Sequence, residues 1–330
     1  MANQNNSQID DSRFDLPELE DEILDSTDNK SYSQSQLVAR RFFRHKAAMI
    51  SLTLFLFVII VAFTSIGFGP VPGWWKWGYT ETAPLVNGGR PTIGFFHLGE
   101  HPFGQNNIGK DYFALIMRGT QRSVVIAFIV GIISTFIGTL VGALSGYLRG
   151  VIEAFLMRVT DLFIVVPLLV LAAVLGQISS ERFNGSILVL AVMLGILSWT
   201  GLGRLVRGEV LSLREREFVY AAQALGASTP RIIVKHILPN CLGTIIVSAT
   251  LSIASAILLE TSLSYLGFGV QAPDTSLGLL ISENQQKFST APWLFYWPAG
   301  FILLIALSVN FIGDGLRDAF DPRQKGKVRK

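Results

Sequence analysis

Three groups of residues in this sequence have the types and spacing of working chemistry. His97-Leu98-Gly99-Glu100-His101 follows the H-x-x-E-H order of a zinc hydrolase, in which two imidazoles hold the metal and a carboxylate sits over it. Gly104-x4-Gly109-Lys110 has the glycine and lysine spacing of a phosphate-binding loop. Glu260 is a lone acid in an apolar run, where an ionisable group is costly and usually serves a function. The first two fail on their surroundings. Gly99 falls inside the helical turn the zinc site needs, and Pro102 follows at once, so the two histidines do not share a helix face. Asp111 stands where a Ser or Thr would hold Mg²⁺, and no apolar strand precedes the loop. Neither a metal site nor a nucleotide site is expected in this chain. The single Cys241 forms no internal disulfide, so it does not report a redox compartment.

The elements that position these residues read as membrane spans. Half of the 330 residues are hydrophobic, 15% are charged and the mean hydropathy is +0.46. A soluble chain carries about 25% charged residues, so a soluble enzyme, a disordered protein and a disulfide scaffold are all excluded. A helix needs about 17–25 apolar residues to cross a bilayer. Six stretches qualify: 47–66, 123–148, 162–178 (which carries Pro167), 183–203, 237–259 and 288–313. Of the 27 Lys and Arg residues, 20 fall on one side when both termini share it, which places both termini in the cytoplasm. The first span lies behind a long polar leader and lacks a small-residue cleavage site, so it is expected to be a retained helix rather than a signal peptide.

Further expectations follow for the segments in and around these spans. Residues 1–36 hold nine acids and two bases and form a disordered acidic tail. Leu16, Leu19, Ile23 and Leu24 supply one apolar stripe if that tail folds on a partner. Residues 37–117 hold the first span and a long external loop, in which Trp74, Trp75 and Trp77 are interface anchors or a contact surface for an external partner. Gly131, Gly138, Gly142 and Gly146 allow close helix approach, within the subunit or against a sister subunit. Asp161 is expected to pair with Arg158 or Arg149. Residues 118–315 form the transmembrane domain, and 316–330 a basic tail.

The strongest pattern lies in the cytoplasmic loop 204–240. Glu217 through Ala224 are good helix formers and Gly226 stops the helix. Ser228 or Thr229 caps a second helix with Pro230 at its first position, and Pro239 marks its end or a bend. Two short helices on a glycine turn make a protruding knob. Ala221 and Ala222 give it a smooth surface, and Phe218, Val219 and Leu225 give it apolar contacts. A membrane protein does not need such a knob for its own packing.

Ala221-Ala222-x3-Gly226, followed by Leu238-Pro239, resembles the "EAA" coupling loop of ABC importer permeases. Tyr220 stands at the usual Glu and His236 at the usual Ile. Both departures look like the dipeptide/oligopeptide branch, as does 235–240, Lys-His-Ile-Leu-Pro-Asn. His101-Pro102-Phe103-Gly104 with Gly109-Lys110-Asp111 resembles another element of that branch, with Lys110 in place of Arg. Gly146-Tyr147, Asp161 and Pro167 are similar to its second and third spans. The run Glu260 to Gly269 is similar to its fifth-span exit. Gly313 to Asp318 and Asp321-Pro322-Arg323 resemble its C-terminal signature. The resemblance covers about residues 36–323.

It implies an all-α polytopic protein with six transmembrane helices and the type-1 importer permease fold, in the inner or plasma membrane of a prokaryotic cell. The chain would be a C-type permease subunit that is not itself an enzyme and binds no cofactor, metal or nucleic acid. Its implied partners are a second homologous permease, two cytoplasmic ABC ATPase subunits carrying ATP and Mg²⁺, an extracytoplasmic peptide-binding protein and the lipid bilayer. Glu217, Tyr220, Ala221, Ala222, Gly226, Arg231, His236 and Pro239 would couple to the ATPase. Glu260 and Tyr265 would belong to a gate or to the pathway. The cargo would be di- or oligopeptides, with nickel or another peptide-like solute as the alternative. From other classes, a secondary transporter using Glu260 and a hydrolase on His97–His101 also remain open.

Overall fold

Four helices among the described residues have the length and apolar character to cross a membrane, and two bent helix pairs bring the number to six if each pair is one span. The computed structural model describes residues 34–94 and 99–320. The acidic leader to residue 33, His97, and the basic tail from 321 with its Asp321-Pro322-Arg323 lie outside the described residues.

A short amphipathic helix α1 (Gln34–Arg44) leads into the first span, α2 (Lys46–Ser65). A two-residue ribbon follows, β1 (Gly67–Phe68) antiparallel to β2 (Val71–Pro72). The central helix α3 (Tyr112–Tyr147) runs 36 residues, about 54 Å at 1.5 Å per residue. It starts eleven residues before the expected span. That expectation stopped at Arg118 and Arg122, but both arginines lie inside the helix because Asp274 pairs with them, at 2.8 and 2.7 Å. A domain boundary at 117/118 would therefore cut a continuous helix.

The third span is broken. Helices α4 (Val151–Val165) and α5 (Leu168–Phe183) meet at 85°. The ring of Pro167 forces Val166 into extended backbone (φ −82, ψ 127), so the first helix cannot continue. Helices α6 (Ile187–Leu197) and α7 (Thr200–Leu213) meet at a gentler 41°. The remaining helices are α8 (Glu217–Ala224), α9 (Thr229–Ile232), α10 (Leu238–Tyr265), α11 (Leu277–Asn284) and α12 (Trp293–Phe320).

Helix α3 packs against α6, α7 and α10, and α12 packs between α10 and α2. Lipid tails are as apolar as leucine, so helices associate in a membrane by close packing. The glycine row of α3 provides it. A methyl group on Gly138 would stand 2.9 Å from Trp199 O, one on Gly142 2.6 Å from Gly203 O, and one on Gly146 2.8 Å from Val210 Cβ. These three thus pack within the subunit, on α7 and the turn before it, while Gly131 packs on Ile253 of α10.

Gly142→Leu is expected to destabilise the protein by about 1–3 kcal/mol through overpacking. Gly208→Ala, with nothing within 4 Å of the new methyl, should not destabilise it and should add up to about 1 kcal/mol through helix propensity. Thermal unfolding of the two variants in the same detergent checks this; equal midpoints would contradict the packing account.

Candidate functional site

The knob is built on its own apolar core. Val219, Ala222, Ile232 and Ile237 are buried together with Leu202, Val206 and Val210 of α7 and Cys241 and Ile245 of α10. The second alanine of the motif therefore points inward, while Ala221 is exposed. Val219 is fully buried as well, so the apolar tip consists of Phe218 and Leu225, the latter 89% exposed.

Gly226 ends α8 with φ +77. Its N–H bonds Gln223 O at 2.9 Å and that of Ala227 bonds Ala222 O at 3.0 Å, which is the Schellman arrangement that glycine permits. Ser228 precedes α9 in extended backbone, with Pro230 in the first turn. Residues Ile233–Ile237 then form one π-helical turn. Pro239 has no N–H to offer the Lys235 carbonyl, so the usual register cannot hold there, and Leu238 N–H reaches back to Ile233 O instead. His236 sits in this turn, and its carbonyl accepts from Asn240 Nδ2 at 2.6 Å. Glu217, Arg231 and Pro239 are exposed.

Polar contacts tie the knob to the end of α3. Tyr220 donates its hydroxyl to Glu215 Oε2 at 2.6 Å, and Arg149 holds Glu215 Oε1 at 2.6 Å. Gln223 Nε2 donates to the Tyr147 hydroxyl at 3.1 Å, and Arg214 donates to the Tyr147 carbonyl at 2.8 Å. The Tyr220 hydroxyl and, after it, the Arg149 charge hold the Glu215 carboxyl below its ordinary value. Asp161 pairs with Arg204 at 2.6 Å rather than with Arg158 or Arg149, because Arg149 is taken by Glu215. Glu215 and Tyr147 were missed in the sequence because no helical spacing links them to each other or to Tyr220.

Glu260, on α10, is fully buried. Its Oε2 accepts from Ser123 Oγ of α3 at 2.8 Å and its Oε1 from Ser264 Oγ at 2.7 Å. Ser264 Oγ in turn accepts from Val270 N–H at 3.1 Å, closing the turn after the helix. In this structure the carboxylate clamps α3, α10 and that turn together and presents no surface to a passing solute. Tyr265 is exposed and donates to Gln285 Oε1 at 2.6 Å, beside a cavity of about 310 Å³ lined by Thr261, Ser262, Leu266 and Ile281.

At the other end of α3, the loop motifs serve packing. Asp111 caps α3, accepting from Ala114 N–H at 3.0 Å. The same carboxylate accepts from Trp75 Nε1 at 2.8 Å and shares a hydrogen bond with His101 Nδ1 at 2.9 Å. Trp77 stacks on His101, so of the three tryptophans only Trp74 is largely exposed. Glu100 pairs instead with Lys76 at 2.9 Å, which lowers its carboxyl from the ordinary value. In the glycine loop, Asn106 Oδ1 accepts from Ile108 N–H at 3.2 Å and Lys110 N–H at 2.9 Å. Those amides face their own side chain, not a phosphate.

A polytopic helical bundle with a protruding two-helix knob at one end is the architecture of a membrane permease. The chain belongs to the family described as binding-protein-dependent transport system inner membrane components, whose profile matches residues 138–326, while residues 33–85 match the N-terminal TM domain of oligopeptide transport permease C. It is 40% identical over 300 residues to the oligopeptide transport system permease protein OppC of Mycobacterium bovis, covering 90% of this chain and 97% of the relative. It is 37% identical to the OppC of Salmonella typhimurium (87% and 91% covered) and 36% identical to that of Escherichia coli K12 (87% and 91%). Among solved structures, the MetNI methionine ABC transporter in an inward-facing conformation matches with a TM-score of 0.51 at 19% identity, over 63% of this chain and 97% of that one. The fold is thus that of an ABC importer permease, and the chain is the non-catalytic membrane component. Family membership sets aside the secondary transporter and the hydrolase.

Two predictions follow. Glu260→Gln should leave thermal stability nearly unchanged, because an amide still meets both serines. Glu260→Leu should cost about 1–3 kcal/mol by stranding two buried hydroxyls, and equal melting points would refute the clamp. For the knob, the lowered Glu215 carboxyl adds stability above its ordinary value near 4.5, and this is lost as pH falls through the lower folded value. Tyr220→Phe should move that loss to higher pH, read as earlier hydrogen exchange of the 217–224 amides on acidification.

Proposed function

We propose that this chain is one of two permease subunits of an ATP-driven importer that brings oligopeptides into a prokaryotic cell. The relatives' belonging to oligopeptide transport systems supports the cargo, and the span pattern with the bias of positive residues supports a cytoplasmic knob and cytoplasmic termini. A second, homologous permease would cover the exposed apolar faces of α4, α5 and α10, where Phe155, Leu162, Val170 and Leu258 are all uncovered. Two cytoplasmic ATPase subunits would carry ATP and Mg²⁺, and an external binding protein would deliver the peptide.

The observation that carries the reading is the seating of the knob. Its inward face shares one core with α7 and α10, and its polar residues are tied to the end of α3. A partner gripping the exposed tip at Phe218, Tyr220 and Leu225 therefore moves three spanning helices at once. ATP binding drives the cycle only through different affinities for the outward-open and inward-open states. The knob is where that difference enters this subunit.

Co-purification in mild detergent should recover a second six-span permease, ATPase subunits and a solute-binding protein. Leu225→Glu alters a side chain in open water, so the subunit should insert and fold as before while ATPase recovery and peptide uptake fall at least about ten-fold, the order expected for losing a buried anchor. Gly226→Pro cannot adopt φ +77 and should abolish uptake with insertion intact. Uptake at wild-type rates in both variants would overturn the assignment of the knob.

A further inference from the structure

The acidic leader and the knob have opposite charge and matching apolar character. Residues 1–33 carry nine acids and two bases, a net charge of −7. Leu16, Leu19, Ile23 and Leu24 recur at the spacing of one helix face, between Glu18, Glu20, Asp21, Glu22 and Asp25. On the knob, Leu225 (89% exposed) and Phe218 (39%) are the apolar tip, and Val234 (62%) adds an exposed apolar side chain on the π-helical turn. Arg216, Arg231 and Lys235 surround it, all exposed and none ion-paired among the described residues. Glu217 is the one exposed acid beside them that no arginine holds, since Glu215 is engaged by Arg149.

The described chain that follows the leader begins at the same end of the bundle as the knob. Helix α1 packs on the last turns of α12: a methyl on Gly315 would stand 3.4 Å from the Phe42 ring, and His45 Nε2 is 3.4 Å from Asp318 Oδ2. The end of α12 in turn reaches α10, where a methyl on Gly243 would stand 3.0 Å from the Phe320 ring. Gly243 lies one and a half turns beyond Ile237, which belongs to the core of the knob. A chain of 33 residues would span about 30 Å root-mean-square as a random coil and about 110 Å at full stretch. It reaches the knob without strain, and tethering holds it there at about millimolar effective concentration.

We propose that residues 1–33 dock in cis on the apolar tip and basic rim of the knob, so that the ATPase must displace the chain's own leader to engage. The docking itself stands on charge, exposure and reach; its competition with the ATPase rests on the function proposed above. A segment of about 0.1 mM intrinsic affinity tethered at about 1 mM would weaken ATPase binding about ten-fold. Removing it releases that factor. Because the contact is largely electrostatic at its rim, the effect should shrink as salt shortens the Debye length from about 10 Å at 0.1 M to a few ångströms at 1 M.

Two measurements on the assembled permease pair in nanodiscs test this. First, a fluorescent synthetic peptide of residues 1–33 is titrated onto the pair whose own leader has been removed. Saturable, salt-sensitive binding, lost in the Arg216→Gln/Arg231→Gln/Lys235→Gln variant, is expected. Absence of binding, or binding indifferent to those three changes and carried by the lipid, overturns the docking whatever the ATPase does. Second, ATPase affinity is compared between the full chain and one with the nine leader acids changed to Asn or Gln. About ten-fold tighter binding without the acids is expected. Equal affinities overturn the competition, and weaker binding without the acids would make the leader an ATPase-docking peptide instead. Failure of both chains to bind any ATPase would count against the proposed function, while the peptide titration still decides the docking.

Discussion

The near-contact of backbones along the glycine row of α3 is the constraint on which the rest depends. At Gly138, Gly142 and Gly146 there is no room for a side chain, so α3 and α7 approach more closely than any larger residue would allow. In lipid this closeness replaces the hydrophobic drive that would assemble a soluble bundle. From α7 the constraint passes into the core that seats the knob, through Val206 and Val210. From α3 it passes to Glu260 through Ser123, and to the loop at the far end through Asp111. One helix thus connects the two ends of the molecule, and each end is attached to it by side chains named above.

Much of this was legible in the sequence because apolar length, glycine spacing and turn residues act locally. The apolar stretches and the knob with its Gly226 stop were written in runs of neighbouring residues, whereas the stretch 162–178, expected as one span, is interrupted at Pro167 by an 85° bend. What was not legible depends on residues far apart in the chain. Arg118 and Arg122 have the look of a span's edge in sequence, and Asp274, more than 150 positions away, pairs with both inside the helix. A reading at helical spacing would have placed those two arginines, four apart, on one face and extended the helix. Ala221 and Ala222 look equivalent as a pair, yet one is exposed and the other packs inward, which only the core beneath them decides.

The residues with the look of chemistry are engaged in structural contacts. Asp111 stood out as the residue that spoils a phosphate loop, and it is the residue that caps α3 and gathers Trp75 and His101. Glu260 stood out as a costly intramembrane acid, and its cost is offset by two serine hydroxyls rather than by a cation. Motif order alone could not separate these roles, since the same residue types serve both. Burial and the identity of the bonded neighbour separate them.

The length of α3 has a consequence for the lipid. Beyond the ion layer at Arg122, its uncharged part runs from Ser123 to Tyr147, about 37 Å against a hydrocarbon core of about 30 Å. A free helix with that excess would tilt to hide it. This one cannot tilt alone, because its glycines lock it to α7. The mismatch falls on the bundle as a unit and on the surrounding bilayer. Tyr147, where α3 ends and the knob is tied, stands at one end of that excess length, so a thinner or thicker bilayer would load the same residue that anchors the knob.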